Sequence, residues 1–147
     1  MNLAAYKHKV LVLVFASYTN PSFRDRAAGL EALREQYGAQ GANFLIIYTS
    51  ETHPAGGWEV ARNKTDGISI TQPTTQAQRN QIAVTAKSAL NLSIDVAPDT
   101  MDNKTATAYA VGDGTPAYII GRDGKILFHQ SWLEPMALEE AIVDALK

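Results

Sequence analysis

The sequence feature that most constrains the fold is an apolar run that leads almost directly into a helix start. Residues 10–15 are all Val, Leu or Phe, the pattern of a strand covered on both faces, as in a parallel sheet. Asn20 and Pro21 are the residue types preferred at a helix N-cap and first position. Open α/β sheets place their functional groups beyond the carboxyl ends of their strands. We therefore expect the site at this turn, with Asn20 where an oxidoreductase would carry a thiolate or selenolate.

The composition excludes several classes of function. A length of 147 residues suggests one domain, residues 1–147, and a net charge of −2 without a Lys/Arg run disfavours nucleic-acid binding. The absence of cysteine excludes a disulfide, a thiolate nucleophile and a cysteine-based zinc site within this sequence. Three histidines without a nearby acidic cluster do not indicate a metal site. We expect neither a metal nor a cofactor.

A short basic and apolar stretch has some features of a signal peptide. Residues 7–9 are Lys-His-Lys and precede the apolar residues 10–16. This run is short for a signal, and the sheet needs it as a strand. No stretch approaches the ~20 apolar residues that span a bilayer. We expect a soluble, cytoplasmic protein that does not enter the membrane.

The first half of the sequence predicts a strand, a helix and a second strand. Apolar residues recur at helical spacing from residue 22 to about residue 37, and residues 44–48 form a second buried strand. A strand–helix–strand unit of this length implies a right-handed parallel crossover between neighbouring strands. Residues 49–74 are rich in Gly, Pro, Asn and Thr, which predicts a long loop.

The second half predicts further alternation and a closing hairpin. Thr75 and Gln78 form a capping box that starts a helix. The remaining predicted elements are a helix over residues 76–90, a strand over 94–96, a helix over 103–110, a hairpin of 115–120 and 125–130 that turns at Asp123 and Gly124, and a helix from Pro135 to Leu146.

This order predicts an α/β, thioredoxin-like fold: a single domain with a central mixed sheet flanked by helices and carrying an insertion. Thr115 and Pro116 fall where that fold carries a cis-proline beside its active corner. We therefore predict a cis peptide bond there, against a base rate of ~5%.

Three segments resemble a known family. Phe15-Ala-Ser-Tyr-Thr-Asn-Pro-Ser-Phe23 aligns without a gap with Phe-Gly-Ser-Cys-Thr-Sec-Pro-Pro-Phe. Phe44-Leu-Ile-Ile-Tyr48 leads into Ser50-Glu-Thr-His-Pro-Ala-Gly-Gly-Trp58, similar to Glu-Glu-Ala-His-Pro-Ser-Asp-Gly-Trp. Residues 99–103, Asp-Thr-Met-Asp-Asn, are followed by Ala108-Tyr109. In these segments the sequence resembles the iodothyronine deiodinases, thioredoxin-fold selenoenzymes.

The resemblance implies a site and also a missing nucleophile. The selenocysteine position of the family is Asn20, and the cysteine two residues earlier is Tyr18. In the family the selenolate takes iodine from the hormone while a His and a Glu handle protons, which carries over to His53 and Glu51. An amide nitrogen is no substitute nucleophile. We expect no deiodination by the family route. The membrane anchor of the family has no counterpart here, as expected of a soluble bacterial-type relative.

Further residues are predicted to line the same cleft. They are Tyr18, Thr19, Trp58, Thr115 and Pro116. Some of the candidate residues also have a structural interpretation: Asn20 is a good N-cap by itself, Trp58 could serve only to anchor the loop, and Thr115 and Pro116 are primarily structural.

Three hypotheses of function follow. The first is a redox-inactive relative that retains a cleft for a small aromatic or halogenated ligand. The second is a deiodinase-like or peroxidase-like selenol or thiol oxidoreductase in which Asn20 replaces the natural residue. The third is a structural or protein-interaction domain, which a stable homodimer would support. The first ranks highest because Tyr18 replaces the neighbouring cysteine as well.

Overall fold

The centre of the structure is a five-stranded mixed sheet with the order β3-β2-β1-β4-β5. The computed structural model describes residues 3–147. The strands are β1 (Val10–Ala16), β2 (Ala42–Tyr48), β3 (Asp95–Pro98), β4 (Ala117–Ile120) and β5 (Ile126–Gln130). The helices are α1 (Pro21–Gly38), α2 (Ala61–Thr65), α3 (Gln76–Ala89), α4 (Lys104–Ala108) and α5 (Pro135–Leu146), after a 3-10 helix at Leu3–Tyr6.

Strand β1 lies in the middle of the sheet and is buried along its whole length. It pairs in parallel with β2, with Val10 opposite Ala42, and antiparallel with β4, with Val14 opposite Ala117. Both predicted pairings, the parallel crossover and the closing hairpin, are confirmed. The predicted thioredoxin-like α/β fold is therefore confirmed.

The two faces of the sheet are covered unequally. Val12 and Val14 point to the face that packs against α1 and α5, which have 18 and 12 residues. Leu11, Leu13 and Phe15 point to the opposite face, where Leu3 and Tyr6 of the 3-10 helix and Ala106 of α4 pack. These two short elements leave part of the second face thinly covered.

Two predicted helix starts are confirmed by their hydrogen bonds. The Oδ1 atom of Asn20 accepts from the Ser22 N–H at 3.0 Å, and Pro21 is the first residue of α1. At α3 the Gln78 N–H donates to Thr75 Oγ1 and the Thr75 N–H donates to Gln78 Oε1, both at 3.2 Å. Each cap satisfies N–H groups that have no partner within the helix.

The segment predicted as one long loop contains a helix. Helix α2 occupies five residues within 49–74. Its N-cap residue Val60 makes no side-chain capping bond, and so short an element has too few turns to show a helical period. The third strand lies slightly later than predicted, and α4 is shorter than the predicted helix at both ends.

The predicted cis bond before Pro116 is wrong, because the Thr115–Pro116 peptide bond is trans. In this geometry the Pro116 carbonyl accepts from the Phe15 N–H at 3.0 Å, and Thr115 bridges to Trp132. The trans form thus supplies the contacts that dock this segment onto β1. It is also the isomer that an X–Pro bond prefers by ~0.5–1 kcal/mol.

Two neighbouring glycines provide a matched test of this docking. A Cβ atom on Gly114 would collide with the main-chain carbonyl oxygen of Ser131, whereas one on Gly112 would meet open space. Neither residue has a positive φ. We expect Gly114→Ala to lower the free energy of unfolding by about 1–3 kcal/mol. Gly112→Ala is expected to change it by less than about 1 kcal/mol. Urea denaturation of both variants measures the difference, and equal values would contradict the close approach.

Candidate functional site

Asn20 lies at the corner where β1 ends and α1 begins. It is 3% exposed, and its main-chain N–H donates to the Ser17 carbonyl at 3.2 Å. Its Oδ1 atom is used by the helix cap, while its Nδ2 group has no hydrogen-bond partner within residues 3–147. The side chain therefore retains unused N–H donors at the positive end of an 18-residue helix.

Glu51 holds this corner from the loop after β2. One carboxylate oxygen accepts from the main-chain N–H of Thr19 at 3.0 Å and from its hydroxyl at 2.6 Å. The other accepts from the hydroxyl of Tyr48. Burial, and then the adjacent carboxylate, raises the pKa of Tyr48, so its phenol stays protonated and donates. With 4% exposure and three donors, Glu51 has the contacts of a positioning group.

The sequence prediction missed several residues that complete this arrangement. The hydroxyl of Tyr48 also accepts from the Tyr18 N–H at 2.9 Å. The side chain of Gln72 pairs with the main-chain N–H and carbonyl of Glu51 at 2.7 and 3.0 Å. Asn63 donates to the Thr19 carbonyl at 2.8 Å. The position of Tyr48 at the carboxyl end of a buried strand was the available signal, whereas Asn63 and Gln72 gave none.

His53 and Trp58 form one unit above the corner. The main-chain N–H of His53 donates to the hydroxyl of Thr19 at 3.1 Å, which connects the loop to the corner. Its Nδ1 lies 3.0 Å from the carbonyl oxygen of Trp58, and the two rings meet edge to face at 4.5 Å. A carbonyl can only accept, so Nδ1 carries the proton in this contact, and in the neutral imidazole Nε2 is then the acceptor. Trp58 is 62% exposed, so its ring contacts His53 and still presents an open surface.

Ion pairs fasten the far part of the loop to α1. Arg24 donates to the Tyr18 carbonyl and to the Asp66 carboxylate, both at 2.7 Å. Arg62 contacts Asp66 at 2.9 Å and Asp25 at 2.8 Å. Arg24, and then Arg62, holds the pKa of Asp66 below its usual value. The loop is thus held at two places: near its start by Thr19, and farther along by Arg24 and Asp25 of α1.

The last two predicted residues lie just before strand β4, which pairs with β1. Pro116 bonds to β1 next to the corner, and Thr115 is fully buried with no partner for its hydroxyl within residues 3–147. A cavity of about 280 Å³ separates the loop before Thr115, at Gly112–Gly114, from residues 49–52 after β2. A second cavity of about 260 Å³ has His53 and Asn63 in its wall. The structure therefore gathers Tyr18, Thr19, Glu51 and His53 directly and places Thr115 and Pro116 alongside.

The other two histidines lie outside this arrangement. His8 is exposed before β1, and His129 on β5 stacks on the ring of Tyr118 at 4.5 Å. In the part of the chain that the structure describes, no three His, Cys, Asp or Glu side chains are grouped so that they could hold a metal ion.

Comparison with known proteins identifies the family. The iodothyronine deiodinase family model matches residues 3–134. The chain belongs to the iodothyronine deiodinase family. Its relatives include type II iodothyronine deiodinase of Neoceratodus forsteri, 31% identical over 73% of this chain, and of Rattus norvegicus, 26% identical over 95%. Thyroxine 5-deiodinase of Sus scrofa is 32% identical over 86% of this chain. The chain spans only 40%, 57% and 44% of these three relatives, respectively.

Solved structures show the same fold at low sequence identity. A secreted disulfide oxidoreductase of Mycobacterium tuberculosis, homologous to DsbE of E. coli, has a TM-score of 0.68 and 15% identity, covering 98% of this chain and 87% of that one. A thioredoxin-family thiol:disulfide interchange protein of Chlorobium tepidum has a TM-score of 0.67 and 12% identity, covering 100% and 86%. These deiodinase-family and thioredoxin-fold relationships confirm the resemblance seen in the sequence.

The sequence also predicted a cytoplasmic protein that does not enter the membrane. Within residues 3–147, every helix is too short or too polar to cross a bilayer. A cytoplasmic location and a homodimer stay predictions.

The contacts of Glu51 predict that it positions Thr19 and Tyr48 in this deiodinase-family chain, and a substitution that replaces one carboxylate oxygen tests this. In Glu51→Gln an N–H₂ group replaces an acceptor, which leaves a buried donor of Thr19 or Tyr48 unsatisfied. We expect the free energy of unfolding to fall by about 1–3 kcal/mol. Glu59→Gln, an exposed change in the same loop, is expected to stay within about 0.5 kcal/mol. Urea denaturation compares the two, and an equally small effect at both positions would rule out the role.

Proposed function

We propose that this chain is a redox-inactive member of the deiodinase family that binds a small aromatic or halogenated ligand at the corner. The observation that carries the proposal is Asn20. It stands at the family's selenocysteine position, and its oxygen is bonded to its own helix. The amide nitrogen is delocalised into the carbonyl and cannot act as the nucleophile.

The polar groups that have no partner at the corner, among residues 3–147, suit a phenol. Asn20 Nδ2 is a donor of this kind beside a helix N-terminus, which favours an electron-rich oxygen or a phenolate. The Nε2 atom of His53 is an acceptor for a phenolic O–H. Trp58 offers an exposed ring for offset or edge-to-face packing on an aromatic ligand.

Two cavities lie beside the corner, one with His53 and the other with Glu51 in its wall, and their size favours a ligand with one ring. Their volumes of about 260 and 280 Å³ lie just below the ~300–1,000 Å³ typical of pockets for drug-sized molecules. The names of the relatives, type II iodothyronine deiodinase and thyroxine 5-deiodinase, point to iodinated thyronines as the ligands of those proteins. A single iodinated ring is therefore the reasonable first probe for this shorter chain.

A direct binding experiment tests the proposal. NMR titration of the protein with 4-iodophenol should give saturable shifts around His53 and Trp58, with a Kd of about 1 mM or tighter. His53→Asn should weaken binding about two- to tenfold through loss of the Nε2 acceptor. His8→Asn is the matched control, because this exposed histidine lies before β1, at the opposite end of that strand from the corner. Absence of binding at millimolar 4-iodophenol would contradict the proposal.

Restoring a thiol separates this proposal from the second hypothesis. In Asn20→Cys the helix N-terminus should lower the thiol pKa below about 8, from an ordinary ~8.5. Ser88→Cys, in the last turn of α3, should show a pKa of about 8.5 or higher because the helix dipole is reversed there.

The rate of alkylation by iodoacetamide as a function of pH measures both thiols. A low pKa together with peroxide or iodophenol turnover in Asn20→Cys would favour a substituted oxidoreductase. If the Asn20→Cys thiol has the low pKa but the variant turns over neither peroxide nor iodophenol, the result would support a binding module.

A further inference from the structure

A further cavity, separate from the two beside the corner, lies at the other end of the sheet, on its thinly covered face. Its volume is about 490 Å³, within the range of small-molecule sites. The floor is Leu11, which is 2% exposed, and the walls include Leu3, Tyr6, Tyr109 and Ile120. The cavity exists because the 3-10 helix on one side and the β4–β5 turn on the other do not meet across the sheet.

The mouth of this cavity carries positive charge. Lys7, His8 and Arg122 line it together with one acid, Asp123. Asp123 is already engaged, since it accepts from the Lys125 N–H at 3.1 Å and lies 3.2 Å from its ammonium group. These two contacts hold the pKa of Asp123 below its usual value. Within residues 3–147, Lys7 and Arg122 form no ion pair.

We propose that this cavity binds a small amphiphilic carboxylate, an aliphatic or aryl chain that ends in a carboxylate group. The apolar walls take the chain, since burying it removes hydrocarbon surface from water. The carboxylate then reaches Lys7 and Arg122, whose guanidinium can bind it through two parallel hydrogen bonds.

The shape of the site favours a small ligand over a membrane surface. The apolar side chains are recessed, with Leu11 buried and Tyr109 and Ile120 half-buried. Insertion into a bilayer requires apolar groups that project from the protein, whereas a recessed floor fits a molecule that enters it.

Octanoate is the probe that tests the proposal on the full chain, because it stays monomeric at millimolar concentration. NMR titration should show saturable shifts of the Leu11 and Ile120 methyl groups. Octyltrimethylammonium, which has the same chain and the opposite charge, should bind at least tenfold more weakly. Lys7→Gln and Arg122→Gln should each weaken octanoate binding about two- to fivefold. Lys9→Gln, an exposed lysine outside the cavity wall, should change it less than twofold.

Three outcomes would overturn the proposal. They are equal binding of the anion and the cation, no saturable shift at these methyl groups, and co-sedimentation with phosphatidylserine vesicles in the absence of octanoate binding. His53→Asn should leave octanoate binding unchanged, so this result stands or fails separately from ligand binding at the corner. All of the substituted side chains at the cavity mouth are exposed, which preserves folding in the variants.

Discussion

The buried carboxylate of Glu51 is the interaction on which the corner depends. Removing a carboxylate from water is costly unless strong donors replace the lost hydration. The sequence provides those donors from two distant places: Thr19 after β1 and Tyr48 at the end of β2. Satisfying one charge therefore joins two strand ends, and through Gln72 it also fixes the returning part of the loop.

Asn20 takes no part in this arrangement. In the described part of the chain its side chain bonds to its own helix alone, whereas the contacts between corner and loop use Thr19, Tyr48, Glu51 and Asn63. The geometry around the corner therefore depends on these four residues, whereas the Asn20 side chain contributes the cap of α1. If Asn20 is aligned with the family's selenocysteine, as the sequence motif predicts, the loop and the corner are held together by contacts that do not involve that side chain.

Local patterns in the sequence were sufficient for most of the fold. The Val/Leu run of β1, the Asn20–Pro21 helix start and the Thr75 capping box are short-range signals, and all are confirmed. The family motif identified Glu51 and His53, but Thr19, the corner residue that both contact, lies 32 and 34 residues away from them in sequence. Tertiary contacts of this kind leave no periodic signal. The trans peptide bond before Pro116 was likewise not predictable from local sequence, because the Pro116 carbonyl is bonded to Phe15 of the distant strand β1.

The strand order has a consequence for synthesis on the ribosome. One edge of β1 pairs with β2 soon after both emerge, because they are joined by a single helix. The other edge waits for β4, which is more than 100 residues later in the chain. Until then a strand of seven apolar residues has one open edge, the condition under which nascent chains are most prone to misassociate. We therefore expect the risk of aggregation of the nascent domain to fall when β4 has been synthesised and has paired with β1.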